Sequence, residues 1–155
     1  MNKCIISLLH QNEDDTSTQD DGMDISILVV DKANGEIEFA GANHFAYYFS
    51  ENQLIKLKGD VYSIGGMSGQ KDIVFTKQKY SITEGGTIYV FTDGYTDQFG
   101  GEKNTKFLSS RFEQLLQNIR QNTMEEQCRL LTVAFNEWKA DKNQTDDVLI
   151  IGIRF

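Results

Sequence analysis

The sequence predicts an α+β fold in which antiparallel strands are layered with helices. Short apolar runs separated by turn residues come first, two amphipathic helical patterns follow, and an apolar run closes the chain. The βαβα alternation of a doubly wound sheet is absent. So is a phosphate-cradling loop, because the stretch "GGMSG" lacks the Lys-Ser/Thr ending that such a loop needs. A chain of 155 residues is long enough for one domain with a buried core.

Residues 1–20 predict the end of a helix followed by an acidic loop. In "MNKCIISLLH" the side chains of Ile5, Leu8 and Leu9 fall on one side of a helix. The stretch "QNEDDTSTQDD" that follows is almost without apolar residues and is typical of a solvated loop. It lacks the alternating oxygen ligands and central glycine of a calcium-binding EF-hand loop.

Two hairpins are predicted next. The runs "MDISILVVD" and "EIEFAGA" are separated by a turn that ends in Asn34-Gly35, a pair that tolerates the positive φ of a tight turn. The runs "HFAYYFS" and "QLIKLK" form a second pair, joined by Glu51-Asn52. Gly65, Gly66 and Gly69 then mark a loop. The runs "DIVFTKQKYSI" and "GGTIYVFT" after it predict two further strands.

Two amphipathic helices follow. In the first, apolar residues recur at spacings of three and four, and Ser110 and Glu113 have the spacing of a capping box, with Ser109 as the alternative start. The second starts at a clearer capping box formed by Thr123 and Glu126. Its apolar stripe predicts a core face rather than a cofactor site. The members of that stripe are Met124, Cys128, Leu131, Phe135 and Trp138.

Charge and composition exclude several classes of function. A net charge of −8 argues against nucleic acid, which requires a basic face. Cys4 and Cys128 lack metal-type spacing and predict reduced thiols, Cys128 within the core. The isolated His10 and His44 make a zinc site an unlikely interpretation. No apolar run approaches the length of a membrane span, and no signal peptide is evident, which predicts a cytoplasmic protein without a membrane segment.

Acidic residues lie at the ends of two predicted strands. Asp93 follows the run Ile88–Phe91, and Asp146 and Asp147 precede the run Val148–Arg154. If these runs are antiparallel neighbours, the carboxylates of Asp93 and Asp146 come together and repel unless a cation lies between them. Carboxylates without histidine or cysteine suit Mg²⁺ or Mn²⁺, which can activate a water for attack on phosphorus. The alternative is that both acidic pairs are ordinary turns and solvated caps.

Five phrases in order along the chain resemble one protein family: "DGMDISILVVD", "FAGANHFAYYF", "IYVFTDGYTDQFGG", "FNEWKA" and "QTDDVLIIGIRF". They are similar to the SpoIIE-type branch of the PPM phosphatases, bacterial relatives of the metal-dependent type 2C serine/threonine protein phosphatases. The resemblance covers residues 21–155 and implies an antiparallel β-sandwich layered with helices.

The resemblance also implies a metal site. In that family the Asp of the "TDG" motif and the first Asp of the "DD" or "DN" motif bind metal, which assigns Asp93 and Asp146 as metal ligands. Gly94 would permit a tight backbone beside the metal, and Asp147, at a position often filled by Asn, would have a supporting role. The implied cofactors are Mn²⁺ or Mg²⁺, with two ions in the complete family site.

The implied function is dephosphorylation of phosphoserine or phosphothreonine by metal-activated water. In relatives, such domains act in bacterial signalling on small phosphorylated regulators such as anti-sigma-factor antagonists. The expected partner is therefore a phosphoprotein substrate. The alternative is a non-catalytic remnant or pseudophosphatase that binds a protein partner.

The family domain is longer at its N-terminus, where a further Asp motif supplies the ligand that bridges both metals. No residue before Asp21 matches that motif, and no ligand role transfers to Asp24 or Asp97. The chain is therefore expected to be the C-terminal half of the domain, incomplete at its N-terminal side. Open strand edges and apolar surface would follow. A dimer, strand exchange or a separately encoded N-terminal half would cover them.

Overall fold

The protein forms two structural units in this computed structural model, Met1–Gly86 and Thr87–Phe155. The structure describes residues 4–5, 22–51, 53–65 and 73–155. The predicted α+β class with antiparallel sheets is confirmed. The predicted helix end and acidic loop of residues 1–20 lie outside the described residues, apart from Cys4 and Ile5, which are helical.

Antiparallel strands make up the described part of the first unit. They are β1 (Gly22–Met23), β2 (Ile25–Asp31), β3 (Glu36–Ala42), β4 (Phe45–Ser50), β5 (Gln53–Lys58), β6 (Ile64–Gly65) and β7 (Gln78–Ser81). Both predicted hairpins, β2–β3 and β4–β5, are confirmed. In the first, Gly35 has a φ of 65°, and the carboxylate of Asp31 accepts hydrogen bonds from the N–H groups of Ala33 and Asn34, each at 3.1 Å. The turn is therefore closed by its own side chain.

The strand predicted from "DIVFTKQKYSI" is shorter than expected, because it begins only at Gln78. The carboxylate of Asp60 accepts hydrogen bonds from the backbone N–H of Thr76 at 2.6 Å and from its hydroxyl at 3.0 Å. That backbone donor is thus taken up by a side chain and not by a strand ladder. Of the predicted loop glycines, Gly65 ends β6, and Gly66 and Gly69 lie outside the described residues.

The second unit combines strands with helices. Its elements are β8 (Thr87–Phe91), α1 (Gly94–Asp97), β9 (Phe99–Gly100), β10 (Thr105–Lys106), α2 (Ser109–Ile119), α3 (Met124–Lys139) and β11 (Ile150–Arg154). Strands β8 and β11 pair in antiparallel register from Thr87 opposite Arg154 to Phe91 opposite Ile150. The last strand begins two residues later than the predicted Val148. None of the described helices is long and apolar enough to cross a membrane.

Tyr95 lies at the centre of the second unit's core. Its ring centroid is 5.2 Å from that of Phe107, 4.9 Å from that of Phe112 and 5.1 Å from that of Phe135. Its hydroxyl donates a hydrogen bond to the carbonyl of Leu131 at 2.8 Å. The core therefore contains a polar atom that is satisfied, and burial raises the pKa of Tyr95.

One of the two predicted capping boxes is confirmed in part, because Thr123 caps helix α3 whereas the carboxylate of Glu126 accepts hydrogen bonds from Arg129 at 2.8 and 2.7 Å. Helix α3 starts as expected, because the Thr123 hydroxyl accepts a hydrogen bond from the N–H of Glu126 at 3.2 Å. The box of Ser110 and Glu113 is wrong, since the N-cap of α2 is Leu108, which has a φ of 74° and makes no side-chain cap. The helix begins at Ser109, the alternative start, and the Leu108 carbonyl accepts a hydrogen bond from the N–H of Phe112 at 3.2 Å.

Helix α3 buries a residue that the apolar stripe did not include. Leu131 and Phe135 are buried as predicted, but Cys128 is exposed, so its assignment to the core is wrong. Gln127 is buried in the neighbouring position. Its side chain accepts a hydrogen bond from the Tyr89 hydroxyl and donates to two backbone carbonyls at 3.0 and 3.1 Å, which offsets the cost of burying an amide.

Stability is expected to fall at alkaline pH through Tyr89. Burial raises the pKa of Tyr89 to about 12, whereas a tyrosine in the unfolded chain titrates near about 10. Between these values the unfolded state releases a proton that the folded state keeps, so the free energy of unfolding decreases as pH rises. Urea unfolding, followed by the fluorescence of the single tryptophan, should show this decrease. Tyr89→Phe should flatten it, and Tyr62→Phe at a half-exposed position should not. Equal pH dependence in both variants would contradict the assignment.

Candidate metal centre

The exit of β8 and the entry of β11 are tied together by Thr92. Its N–H donates to the carbonyl of Leu149 at 3.0 Å, and its hydroxyl accepts from the N–H of Leu149 at 2.9 Å. The same hydroxyl donates to the carbonyl of Asp147 at 2.8 Å. The predicted antiparallel pairing is confirmed, and the two acidic motifs lie at the same end of the strand pair.

Asp93 directly follows this junction and begins helix α1. Its carbonyl accepts hydrogen bonds from the N–H of Asp97 at 2.9 Å and from the hydroxyl of Thr96 at 3.0 Å. Its carboxylate makes no capping bond, and the residue is exposed. The backbone of Asp93 is therefore committed to the fold, while its side chain is available to a ligand from solution.

Gly94 is the point at which the two motifs touch. A Cβ at this position would lie 2.9 Å from the carbonyl carbon of Asp147 and 3.2 Å from that of Asp146, and it would overlap the carbonyl oxygen of Asp147. Such contacts are shorter than real Cβ atoms show, so a side chain here would push the second motif away. Glycine thus brings the backbone after Asp93 against the backbone of Asp146 and Asp147.

Asp146 and Asp147 are both exposed and differ in what they contact. The Oδ1 atom of Asp146 accepts a hydrogen bond from the N–H of Asp147 at 2.7 Å, and the Asp146 carbonyl accepts from Nε2 of Gln144 at 2.8 Å. The backbone of Asp147 makes both of its contacts at the junction. Its N–H donates to Asp146, and its carbonyl accepts from the hydroxyl of Thr92. Neither of these two roles requires its carboxylate, and an asparagine would fulfil both equally well.

Gln98 positions the loop that leads to Asp146, a role that sequence reasoning missed. The side chain is fully buried, its Oε1 accepts from the N–H of Thr145 at 3.0 Å, and its Nε2 donates to the carbonyls of Asn143 and Phe99, each at 2.9 Å. One amide therefore fastens the loop before Asp146 to the segment after helix α1. The only signal in the sequence was an uncharged polar residue inside the phrase "IYVFTDGYTDQFGG".

Asp24, Asp97 and His44 have local partners, whereas His10 lies outside the described residues. Asp24, in the first unit, accepts hydrogen bonds from the side chains of Asn43, at 2.8 Å, and Ser63. Asp97 forms an ion pair with Lys106 at 2.6 Å. Nδ1 of His44 lies 3.1 Å from the hydroxyl of Ser26. Among the described residues no group of three or more histidine, cysteine or acidic side chains could hold a metal ion.

Donor chemistry at the junction fits a hard divalent cation, although the number of donors is small. Asp93 and Asp146 supply carboxylate oxygens, both residues are exposed, and the donors that Mg²⁺ and Mn²⁺ prefer are oxygens and water. Mg²⁺ commonly keeps several waters and uses one or two protein carboxylates. The described residues could therefore hold a hydrated ion and leave most of its coordination sphere open.

The fold, antiparallel sheets combined with helices, is that of PP2C-like phosphatase domains, because solved structures of that class are similar to this chain. The SiaA-PP2C domain of Pseudomonas aeruginosa is 28% identical with a TM-score of 0.84, and the match covers 99% of this chain and 57% of that one. The phosphatase domain of SpoIIE from Bacillus subtilis is 11% identical with a TM-score of 0.60, covering 99% and 64%. The catalytic domain of the serine/threonine protein phosphatase PstP in complex with two manganese ions is 14% identical with a TM-score of 0.62, covering 99% and 66%.

The chain belongs to the family of Stage II sporulation protein E (SpoIIE), whose family model matches residues 4–155. The predicted family, the PPM-type phosphatases, is thereby confirmed. The chain spans less than two thirds of the SiaA-PP2C, SpoIIE and PstP chains described above. None of the curated proteins is significantly similar to it in sequence.

Replacement of Gln98 should loosen the loop before Asp146. Gln98→Ala would leave the N–H of Thr145 and the carbonyl of Asn143 without partners, which should lower the free energy of unfolding by about 2 kcal/mol or more. Gln117→Ala, at an exposed position of helix α2, is the matched control and should change it by less than about 0.5 kcal/mol. Both values come from urea unfolding. If the two variants were equally stable, Gln98 would not anchor the loop.

Proposed function

We propose that this chain belongs to a metal-dependent protein phosphatase that removes phosphate from phosphoserine or phosphothreonine of a regulatory protein in bacterial cytoplasmic signalling. One observation carries the proposal. Asp93 follows β8 and Asp146 precedes β11, so both acids lie at the same end of the strand pair. Gly94 is packed against the backbone of Asp146 and Asp147. Two exposed carboxylates on a backbone held this closely favour a cation site over the alternative that both acidic pairs are ordinary turns.

In this proposal Asp93 and Asp146 are the metal ligands, and Gly94 and Asp147 support them. The carboxylate oxygens would hold Mn²⁺ or Mg²⁺, while Thr92 and Gln98 keep the two motifs in register. A bound ion of this kind lowers the pKa of its water and stabilises negative charge on a phosphoryl group. PstP, a chain of the same fold, is known in complex with two manganese ions, which supports this choice of metal.

The phosphoprotein substrate is proposed on family grounds. The SpoIIE family match and the similarity to the SiaA-PP2C domain support a regulatory partner. The resemblance of the sequence to the SpoIIE-type branch favours a small phosphorylated regulator of the anti-sigma-factor antagonist type. The described surface offers no feature that selects one such regulator over another.

We propose that full activity needs polypeptide beyond the described residues. Asp93, Asp146 and Asp147 lie at the junction, but no three histidine, cysteine or acidic side chains among the described residues are grouped so that they could hold a metal ion. The match covers only 57% of the SiaA-PP2C chain, so a large part of that domain has no counterpart here. A separately encoded N-terminal half, a longer protein or a second copy would supply the remainder.

A second candidate function is a non-catalytic module of the same family. The observation that favours it is again the shortage of metal ligands, because two exposed carboxylates leave most of the coordination sphere of a cation to water. Such a pseudophosphatase would bind a phosphoprotein or another partner without turnover. The two candidates differ in whether the acids support catalysis or only binding of the metal.

Manganese binding and phosphate release together test both candidates. Calorimetric titration of the purified chain with Mn²⁺ should show binding that Asp93→Asn and Asp146→Asn each weaken by about tenfold or more. Hydrolysis of an aryl phosphate should depend on Mn²⁺ and fall by about a hundredfold in the same variants. Asp147→Asn should leave manganese binding unchanged, since the structure uses only the backbone of Asp147.

Asp141→Asn is the matched control, because Asp141 is an exposed acid outside the junction. Manganese binding that depends on Asp93 and Asp146 without any hydrolysis would favour either the non-catalytic module or a catalytic site that further polypeptide completes. Binding that is unchanged in both variants, or equally weakened in Asp141→Asn, would contradict the metal site itself.

A further inference from the structure

Leu108 has a backbone conformation that leucine rarely adopts. It precedes helix α2 with a φ of 74° and a ψ of 145°, close to a region that is almost restricted to glycine. Two hydrogen bonds hold it there. Its N–H donates to the carbonyl of Thr96 at 2.8 Å, and its carbonyl accepts from the N–H of Phe112 at 3.2 Å. The surrounding backbone therefore imposes this conformation, and glycine could make both bonds without strain.

Burial of the leucine side chain does not account for its presence. Leu108 is 50% exposed, whereas the preceding residue, Phe107, is 6% exposed and packs edge-on against the ring of Tyr95. The exposed half of the leucine adds nothing to the core of the second unit. Strained residues cluster at sites that bind ligands or partners. A strained leucine with half of its surface in water thus points to contact with another molecule.

Phe99 is a second exposed apolar residue, on the neighbouring segment. It is 40% exposed, and in the pairing of β9 with β10 it stands opposite Lys106, two residues before Leu108. Opposed Cα atoms of antiparallel strands are about 5 Å apart, and each further residue adds at most about 3.6 Å. Phe99 and Leu108 are therefore at most about 12 Å apart. Together they are called the apolar rim.

Leu108 lies beside the first acidic motif of the candidate metal centre. Thr96, whose carbonyl accepts the Leu108 N–H, donates its own hydroxyl to the carbonyl of Asp93 at 3.0 Å. Three residues of a helical turn separate Asp93 from Thr96, which corresponds to about 5 Å. The backbone of Leu108 is therefore within about 12 Å of that of Asp93.

Phe99 lies beside the second acidic motif. It directly follows Gln98, and its carbonyl accepts a hydrogen bond from the Gln98 side chain at 2.9 Å. The same side chain accepts from the N–H of Thr145, the residue before Asp146, at 3.0 Å. The apolar rim therefore adjoins both motifs that carry the proposed metal ligands.

We propose that the apolar rim binds apolar side chains of the protein substrate on either side of its phosphorylated residue. The inference rests on the proposed function, in which Asp93 and Asp146 hold the metal that receives the phosphate. An extended peptide advances about 3.3 Å per residue, so side chains two or three positions from the phosphorylated residue lie about 7 to 10 Å from it. That distance reaches Phe99 and Leu108.

Charge at the rim selects against other substrate sequences. The three acids of the junction would repel an acidic peptide, as would the net charge of −8 of the whole chain. Lys106, opposite Phe99, is already paired with Asp97 at 2.6 Å. A basic peptide would be attracted by the acids but would leave the apolar rim in water. Apolar neighbours of the phosphorylated residue satisfy both the charge and the exposed surface.

Four synthetic heptapeptides test the proposal on the full chain loaded with Mn²⁺. Each has a central serine, phosphorylated or not, with leucine or alanine at the two outer positions on each side and alanine elsewhere. The dissociation constants come from calorimetric titration. The phosphorylated leucine peptide should bind at least about fivefold more tightly than the phosphorylated alanine peptide, because its leucines leave water on binding.

Matched variants locate this preference at the apolar rim. Leu108→Gly, which suits the backbone, and Phe99→Thr, which suits a strand, should each reduce the leucine advantage to about twofold or less. Leu108→Met keeps an apolar side chain and should retain the full advantage. Val133→Ala is the control, because Val133 is a 38% exposed apolar residue on helix α3, and it should change nothing.

Equal affinities for the phosphorylated leucine and alanine peptides would overturn the proposal, and so would a leucine advantage that survives in both Leu108→Gly and Phe99→Thr. Absence of binding by all four peptides at millimolar concentration would overturn it as well, while the manganese titration still tests the metal site by itself. If phosphorylated and unphosphorylated peptides bind alike, the proposed metal site fails and not the rim. The rim and the catalytic function can therefore fail independently.

Discussion

The antiparallel pairing of β8 with β11 is the constraint on which the candidate site depends. Strand pairing fixes which residues stand opposite each other, and the register that places Phe91 opposite Ile150 brings the exit of one strand to the entry of the other. Thr92 closes that end with backbone and hydroxyl hydrogen bonds. A shift of register by one residue would turn the alternating side chains to the opposite faces and separate the acidic motifs.

The backbone of the candidate site is held by hydrogen bonds and close contacts, whereas its acidic residues are exposed. Gly94 lets the two motifs meet, and the buried amide of Gln98 fastens the loop before Asp146. The carboxylates of Asp93 and Asp146 belong to exposed residues. Solvated carboxylates on a backbone that hydrogen bonds hold in place are compatible with a cation that exchanges its ligands during a reaction.

Apolar side chains are exposed in the second unit. Leu149 and Ile151 are apolar residues in contact with water, and Cys128 faces solvent from a helix whose pattern predicts a core. Cys128 and Ile150 both line a groove of about 480 Å³. Exposed apolar surface of this kind marks a binding site or a liability to aggregation.

The sequence by itself determined the class of fold, both hairpins and the start of helix α3, because local patterns and turn residues encode these features. It placed Asp93 and Asp146 at strand ends, and the pairing of those strands brought them to the same end. It did not reveal the N-cap of α2 at Leu108, the burial of Gln127 in place of Cys128, or the role of Gln98. Those were decided by hydrogen bonds between residues distant in the chain, as in the bond from Gln98 to Thr145, and no local pattern carries that information. Only the tertiary structure brings Gly94 against Asp147, since the distance between them depends on how two strands pair and not on what either strand contains.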